Sequence, residues 1–260
     1  MSSSCITCLR DGPIATVVFD HAERLNALNL DMWRQLTQVF ERLGADEDLR
    51  CIVLRGAGER AFSAGADISE FDTVRGSSAQ SRAYSTVTRA ALSAIDACPH
   101  PIVAQIHGAC VGGGLEVACL ADLRICGRSS TFGVPIKRLG LVVSYEELSG
   151  LLALVGKAAT LEILLEGRVF GADEAQRLGL VNRVVADDQV AREVAASVQR
   201  IASGAPLVAR WHKRFVRKLL SGTPLSDADR DEAHPCFDTE DFQIGRRAFL
   251  DKTNPVFVGR

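Results

Sequence analysis

The distribution of apolar and polar residues predicts alternating strands and helices over the first two-thirds of the chain. Short apolar runs rich in β-branched residues predict strands at Ile14–Asp20, Cys51–Gly56 and Ile102–Ile106. Apolar residues at helical spacing predict an amphipathic helix over Asn29–Gly44, and a second helix is expected from about Gln80 to Ala97. This alternation is typical of an α/β fold.

The pattern changes towards the C-terminus, where only helical spacing remains. The segments "VAREVAASVQRIASG", "PLVARWHKRFVRKLLSG" and "DTEDFQIGRRAFLDK" are each typical of a helix. The sequence therefore predicts an α/β body over residues 1–195 and a helical region over residues 196–260.

One apolar run, "IHGACVGGGLEVACLADLRI" (Ile106–Ile125), contains three consecutive glycines followed by Glu116. Glycines between a strand and a helix let a ligand oxygen approach the free N–H groups of the first helical turn. The motif lacks the lysine of a P-loop, and an acid would repel a phosphate. It suits an N–H group that holds an oxyanion beside an acid–base carboxyl group, whose pKa the apolar surroundings would raise. A simpler interpretation stays open, in which the acid complements the helix dipole and the glycines allow close packing.

Length, charge and cysteine spacing narrow the class of protein. The 260 residues carry a formal net charge of −2 and no basic tract, which does not favour a nucleic-acid partner. No apolar run reaches the roughly 18 residues of a membrane span, and the N-terminus lacks a signal-peptide pattern, so we expect a cytoplasmic protein without a membrane partner. Cys5 and Cys8 form a C-x-x-C without the second ligand pair of a zinc site, so we expect no metal.

A second loop, "AFSAGADI" (Ala61–Ile68), is built from small residues and follows a predicted strand, so it can supply a second N–H donor. This loop and the glycine motif, with "RLNALNLDMW" (Arg24–Trp33) and "FLDKTNPVFVG" (Phe249–Gly259), resemble the crotonase superfamily, the enoyl-CoA hydratase/isomerase family. The resemblance extends over almost the whole chain.

The resemblance implies a crotonase-like spiral of β-β-α units, followed by a C-terminal helical trimerisation region. It also implies an enzyme of fatty acid metabolism, assembled as a homotrimer or as a homohexamer that is a dimer of trimers. The substrate would be an acyl-CoA thioester, and no cofactor is expected. The N–H groups of Ala66 and Gly113 would hold the thioester carbonyl oxygen, with Glu116 as the acid/base. The coenzyme A contacts would be Arg24, Ala64, Ala66, Asp67, Ile68, Gly113 and Lys252, and Lys252 would reach coenzyme A on a neighbouring subunit.

The sequence departs from the family pattern where hydratases have a second catalytic glutamate. In "TFGVPIKRLGL" that position is Ile136, which can neither accept nor donate a proton. Downstream, Ser144 and Glu147 match the S-x-x-E capping box, so we expect Glu147 to cap a helix. The neighbouring Tyr145 and Glu146 are the candidates to supply the missing polar group of the acyl pocket.

Four further polar residues are expected to have structural roles. Asp122 and Arg124 match a structural segment of the family, and His100 and His107 are expected to hold the fold. The acyl pocket is expected to draw its lining from residues 71–84 and 142–152.

Three functions remain open from the sequence. The first is an enoyl-CoA hydratase-like lyase that uses Glu116 and has an altered second position. The second is a one-acid decarboxylase or enoyl-CoA isomerase. The third is a relative that binds acyl-CoA without turning it over, since two N–H donors could hold a thioester while Ile136 removes one acid.

Overall fold

The computed structural model describes residues 4–260, and its strands form two sheets. The six-stranded sheet has the order β1-β2-β3-β5-β7-β10, and the four-stranded sheet has the order β4-β6-β8-β9. All neighbours are parallel except β1 with β2 and β8 with β9. The strands are β1 (Cys5–Asp11), β2 (Ile14–Asp20), β3 (Cys51–Gly56), β4 (Ala61–Ser63), β5 (Ile102–Ile106), β6 (Ala109–Val111), β7 (Leu123–Gly127), β8 (Thr131–Gly133), β9 (Phe170–Gly171) and β10 (Arg183–Val185).

The helices follow the strands in a repeating order. They are α1 (Leu30–Gly44), α2 (Phe71–Val74), α3 (Ser78–Ala97), α4 (Gly113–Cys119), α5 (Tyr145–Glu166), α6 (Ala172–Arg177), α7 (Val190–Ala202), α8 (Pro206–Leu220), α9 (Asp227–Asp231) and α10 (Glu240–Asp251). The chain thus passes through four strand–strand–helix units, ending in α1, α3, α4 and α5. In the second to fourth units the first strand joins the large sheet and the second strand joins the small one.

The local sequence accounts for where these elements begin and end. The three strands predicted from apolar runs, β2, β3 and β5, have the predicted bounds. Helix α1 begins at Leu30 because the Asn29 side chain accepts a hydrogen bond from Met32 N at 2.9 Å and so caps it. Helix α3 begins at Ser78, slightly before the predicted start, because the side chain of Ser77 caps it in the same way.

Two apolar cores cover the two faces of the large sheet. The main core lies between this sheet, the small sheet and helices α1, α3 and α4, and includes Trp33, Phe62 and Phe132. The second core is formed by Val190, Val194 and other residues of α7 against β3, β5 and β7. The sheet is therefore buried on both faces, as a largely parallel sheet requires.

Partly buried polar contacts hold the C-terminal region together and tie α7 to the body. The carboxylate of Asp241 accepts hydrogen bonds from Val258 N at 2.7 Å and from Gly259 N. Arg50 donates to the carbonyl of Ala202 at 2.9 Å. The predicted boundary between residues 195 and 196 falls inside α7, and the assignment of the following residues to trimerisation stays a prediction.

Helix α5 is long and apolar enough to cross a membrane by length and composition alone, and most of its apolar stretch is not buried. Its backbone is not helical at Gly156, where φ is 70° and ψ is 177°. The two helical parts on either side are each shorter than the roughly 20 residues that a membrane span needs.

The C-x-x-C of the N-terminal strand has no metal-site geometry. Cys5 and Cys8 are free thiols within β1, and residues three apart in a strand point to opposite faces. Within residues 4–260 no group of three or more His, Cys, Asp or Glu side chains is arranged to hold a metal ion.

The loop that carries Ala66 is fixed by the segment just before α1. Leu28 N donates to the carbonyl of Gly65 at 2.7 Å, and Asp67 N donates to the carbonyl of Leu28 at 2.9 Å, which makes a parallel bridge between Leu28 and Ala66. Asn26 secures this segment, because its side chain donates to the carbonyls of Ala57 and Ala61 at 3.0 and 2.8 Å.

We expect Asn26→Ala to lower the free energy of unfolding by roughly 2–4 kcal/mol. The substitution leaves the buried carbonyls without their donor and places alanine at φ 56°, which asparagine tolerates better. Urea denaturation at one fixed protein concentration measures the change, with exposed Asn254→Ala as the control that should match the native protein. A loss below 0.5 kcal/mol, within the scatter of ordinary surface substitutions, would contradict this role.

Candidate active site

Two loops meet at one edge of the small sheet because the strands before them are neighbours. Strands β4 and β6 are parallel and adjacent, so the loops that follow them leave the sheet at the same edge. Their backbones touch: a Cβ on Gly65 would lie 3.1 Å from Gly113 N, and one on Gly114 would lie 2.5 Å from the carbonyl oxygen of Ser63. Only glycine allows this approach.

The contact places two free backbone N–H groups close together. In the bridge with Leu28, the hydrogen bonds are made by Gly65 and Asp67, so the N–H group of Ala66 is directed away from Leu28. Gly113 is the first residue of α4, where N–H groups lack a partner within the helix. Among the hydrogen bonds of residues 4–260, neither N–H group has an acceptor. A ligand oxygen could therefore accept from both.

The carboxyl group of Glu116 faces the same space. A Cβ on Gly113 would lie 3.6 Å from Ala66 N and 3.7 Å from Glu116 Oε2, so the three groups border one point. Burial raises the pKa of Glu116 well above its ordinary value of 4.5, the charge of Glu147 raises it further, and Arg75 opposes the shift. The raised pKa favours the protonated form, which suits a group that delivers a proton.

These groups open into a cavity of about 280 Å³. Its walls come from both loops, from α1, α2, α3 and α5, and from the short 3-10 helix Pro135–Leu139. The lining residues are Trp33, Ala64, Gly65, Ala66, Ile68, Phe71, Arg75, Tyr84, Thr88, Val111, Gly112, Gly113, Glu116, Pro135, Ile136, Arg138, Leu139, Leu141 and Glu147. Residues 71–84 and 142–152, the expected pocket segments, each contribute, although most of the second segment does not.

Aromatic side chains set the shape of the inner wall. Trp33 donates its indole N–H to the hydroxyl of Tyr84 at 3.1 Å. Burial, above all, raises the pKa of Tyr84, so its hydroxyl keeps its proton. The ring of Tyr84 also packs edge-on against Phe71, with centroids 6.2 Å apart. The resulting wall is rigid and apolar, with one hydroxyl group.

Ile136 lines the cavity, and Glu147 lies on the same cavity from α5. The predicted capping box is confirmed: Ser144 N donates to Glu147 Oε2 at 2.7 Å, and Glu147 N donates to the Ser144 hydroxyl at 3.4 Å. The cap uses only one oxygen of this carboxylate, so the other is available to the cavity. Glu147 therefore caps α5 and also lines the cavity.

The two residues predicted to supply the polar group of the acyl pocket lie elsewhere. Tyr145 is 91% exposed, and Glu146 pairs with Arg89 at 3.7 Å. Neither lines the cavity. Consecutive residues of a helix point about 100° apart, so the orientation that brings Glu147 to the cavity turns its two predecessors away.

The expected coenzyme A residues fall into three groups. Ala64, Ala66, Ile68 and Gly113 line the cavity. Beside them, Arg24 pairs with Asp67 at 3.2 Å and donates to the Ser69 hydroxyl at 2.6 Å. Lys252 lies at the exposed end of α10 and does not line the cavity.

The residues expected to be structural have structural contacts. Asp122 accepts from Ile102 N at 2.7 Å and pairs with Lys213 at 2.9 Å, while Arg124 is buried and donates to the carbonyl of Leu180 at 2.7 Å. His100 and His107 are buried and do not line the cavity. Burial and then the charge of Arg210 lower the pKa of His100 to about 4, so it is neutral at physiological pH.

Arg75 and Tyr84 are site residues that sequence reasoning did not single out. Arg75 follows a four-residue helix with no recognisable motif, and its aromatic neighbour Tyr84 lies on α3. The sequence could have indicated Glu147 as a site residue. A carboxylate that caps a helix beside a predicted pocket uses one oxygen for the cap and leaves the other free for a ligand.

We expect Glu116→Gln to stabilise the protein, and increasingly so as the pH rises. Because the folded-state pKa of Glu116 is raised, the folded chain keeps a proton that the unfolded chain loses above about pH 4.5, so native stability falls with rising pH. Glutamine removes this dependence, and the difference from the native protein should grow by at most about 1.4 kcal/mol per pH unit. Urea denaturation at pH 5 and pH 8 measures it.

The control for this measurement is Glu59→Gln, which changes an exposed acid and should shift stability equally at both pH values. A Glu116→Gln protein whose stability relative to the native protein is the same at pH 5 and pH 8 would show that the carboxyl group is not destabilised by burial.

Comparison with known proteins supports the resemblance to the enoyl-CoA hydratase/isomerase family over nearly the whole chain. The family model for enoyl-CoA hydratase/isomerase matches residues 10–260. The short-chain-enoyl-CoA hydratase of Clostridium acetobutylicum is 30% identical over 94% of this chain and 93% of its own length. The crotonyl-CoA hydratase of Syntrophomonas wolfei is 29% identical over 96% of both chains.

Solved structures agree with the fold. A crystal structure of an enoyl-CoA hydratase/carnithine racemase from Magnetospirillum magneticum superimposes with a TM-score of 0.97 at 50% identity, covering 100% of this chain and 97% of that one. The crotonase-like fold predicted from the motifs is thereby confirmed. The chain belongs to the enoyl-CoA hydratase/isomerase family of the crotonase superfamily, a family of acyl-CoA enzymes.

Proposed function

We propose that this enzyme stabilises a thioester enolate by holding the carbonyl oxygen of its acyl-CoA substrate between the N–H groups of Ala66 and Gly113. The observation that carries the proposal is the single cavity wall on which these two groups adjoin the carboxyl group of Glu116. Donors fixed in the backbone need no reorganisation when negative charge develops on the oxygen, which lowers the barrier to enolate formation.

Hydration of an enoyl-CoA is the reaction we favour. Both curated relatives described above are hydratases, which supports this choice. Addition of water requires a proton for Cα and a base for the water that attacks Cβ. Burial raises the pKa of Glu116 and so favours its protonated form, which can deliver the proton to Cα.

Glu147 is our candidate for the base. Its Oε2 is fixed by Ser144 N, and its Oε1 has no partner among the hydrogen bonds of residues 4–260. It faces the cavity that Ile136 also lines, where Ile136 takes the position of the family's second glutamate. Turnover would leave Glu116 ionised and Glu147 protonated, and proton exchange with solvent would restore both. The reaction needs water and the thioester, and no further cofactor.

Coenzyme A would follow the loop of Ala64 to Ile68, with Arg24 and Asp67 beside it. Lys252 would contribute from a neighbouring subunit of a homotrimer or a dimer of trimers. Exposed apolar side chains in the C-terminal helical region support self-association, since a lone chain would leave them in water. More than half of each of these side chains is exposed: Val216, Leu219, Leu220, Phe237, Phe249, Leu250 and Val256.

The hydratase hypothesis predicts loss of the conjugated thioester absorbance when the enzyme meets enoyl-CoA esters of suitable chain length. Glu116→Gln should reduce this rate by about 10³-fold, within the range for general acid–base groups, while acyl-CoA affinity stays within about tenfold. A mass-spectrometric panel of acyl-CoA esters scores the products.

The panel separates the remaining functions. Loss of CO2 or a shifted double bond without hydration would assign a one-acid decarboxylase or isomerase that depends on Glu116. Binding of esters with no product in any assay would assign a non-catalytic acyl-CoA-binding protein. Unchanged turnover in Glu116→Gln would contradict the role of this residue in each catalytic case.

Glu147→Gln separates the cap from the chemistry. Glutamine at this helix position still accepts the hydrogen bond from Ser144 N, so α5 should keep its start while the base is lost. We expect kcat to fall by about 10²-fold or more with little change in melting temperature. The matched control is Glu146→Gln, which alters the neighbouring acid outside the cavity and should leave kcat unchanged. Equal rates in the two variants would make Glu147 a cap only.

A further inference from the structure

The cavity is lined by a cation, Arg75, whose side chain makes no hydrogen bond within residues 4–260. Arg75 ends α2, and its side chain lines the cavity. Its guanidinium carbon lies 4.9 Å from the centroid of the Tyr84 ring and 5.3 Å from that of Phe71. Contact with both rings fixes the guanidinium plane and offsets part of its loss of water.

The buried edge of this guanidinium has no acceptor. Its Nε atom is shielded from solvent and makes no hydrogen bond within residues 4–260, and Arg75 belongs to no ion pair in the same part of the chain. Arg24 and Arg168, by contrast, are both paired with carboxylates. A charged donor without a protein acceptor costs free energy, so an acceptor supplied by a ligand to the other N–H groups of this guanidinium would be favourable.

The charges around the cavity favour an anion as that ligand. Two acids line it, Glu147 and Glu116, and burial favours the protonated, uncharged form of Glu116. Arg138 lines the cavity as a second cation. Neither acid lies within ion-pair distance of Arg75, so the guanidinium is not neutralised by its own pocket.

We propose that Arg75 binds a carboxylate on the acyl group, so that the substrate class is the coenzyme A monoester of a short unsaturated dicarboxylic acid. This rests on the proposed function for the thioester end. The carboxylate would accept hydrogen bonds from the terminal N–H groups of the guanidinium, in the bidentate geometry that arginine offers. A cavity of about 280 Å³ limits the acyl group to a short chain.

Binding of saturated esters tests this without turnover. Succinyl-, glutaryl- and adipyl-CoA are compared by calorimetry with the corresponding amides, in which a neutral carboxamide of the same shape replaces the carboxylate. We expect one chain length to show at least tenfold tighter binding of the acid than of its amide. Arg75→Gln should abolish this preference, while affinity for the amide stays within about threefold, which also shows that the variant is folded.

Two controls make the residue assignment specific. Arg89→Gln removes an arginine of α3 outside the cavity and should leave the preference for the acid intact. Arg75→Lys keeps the charge but not the two-pronged geometry and should keep only part of the preference. If Arg75→Gln does not fold, the native protein and Arg75→Lys still give the acid-to-amide ratio.

The outcomes distinguish this inference from the function on which it rests. Equal affinity for acid and amide at every chain length, with both bound, would overturn the role of Arg75 and leave the acyl-CoA function standing. A preference that survives Arg75→Gln and disappears in Arg138→Gln would assign the carboxylate to the other arginine and overturn the proposal. If no coenzyme A ester binds the native protein, the proposed function itself fails.

Discussion

The site depends on one backbone contact, the approach of the loop after β4 to the first turn of α4. Gly65 and Gly114 each lie very close to the backbone of the other loop, and a Cβ on Gly114 would lie 2.5 Å from the Ser63 carbonyl oxygen. Parallel pairing of β4 with β6 brings the loops to one edge, and the bridge to Leu28 turns the N–H group of Ala66 away from Leu28. Both donors are therefore backbone groups whose positions are set by the fold.

The same contact explains why a carboxyl group can lie in this position. Helix α4 begins at the contact, and its first turn directs Glu116 towards the space above Gly113. The surroundings that make this acid useful also destabilise its charged form, because burial raises its pKa. The buried carboxyl group lowers the stability of the folded protein at a position where proton transfer is needed, as is common in active sites.

Local sequence patterns predicted the strands and helix starts well. They did not predict which side chains face the cavity, because that depends on how the helices are oriented. The sequence predicted strands β2, β3 and β5 and the capping box of α5, because each depends only on residues that are neighbours in sequence. The direction of α5 relative to the cavity is set by tertiary packing, and this direction decides whether Tyr145, Glu146 or Glu147 faces the ligand. The sequence placed Arg75 in the expected pocket segment 71–84 but gave it no role for the same reason, since its contact with Tyr84 on another helix and its lack of an ion-pair partner among residues 4–260 are tertiary features.

The charges in the cavity link recognition of the acyl group to proton transfer. In the free enzyme the positive charge of Arg75 opposes the raised pKa of Glu116. A substrate carboxylate bound to Arg75 would cancel that charge, so the pKa of Glu116 would rise further once the correct ester is bound. By linkage, a protonated Glu116 would in turn bind this ester more tightly than its ionised form does. An uncharged acyl chain would give neither effect, so the acid would be best prepared to donate its proton when the anionic substrate is in place.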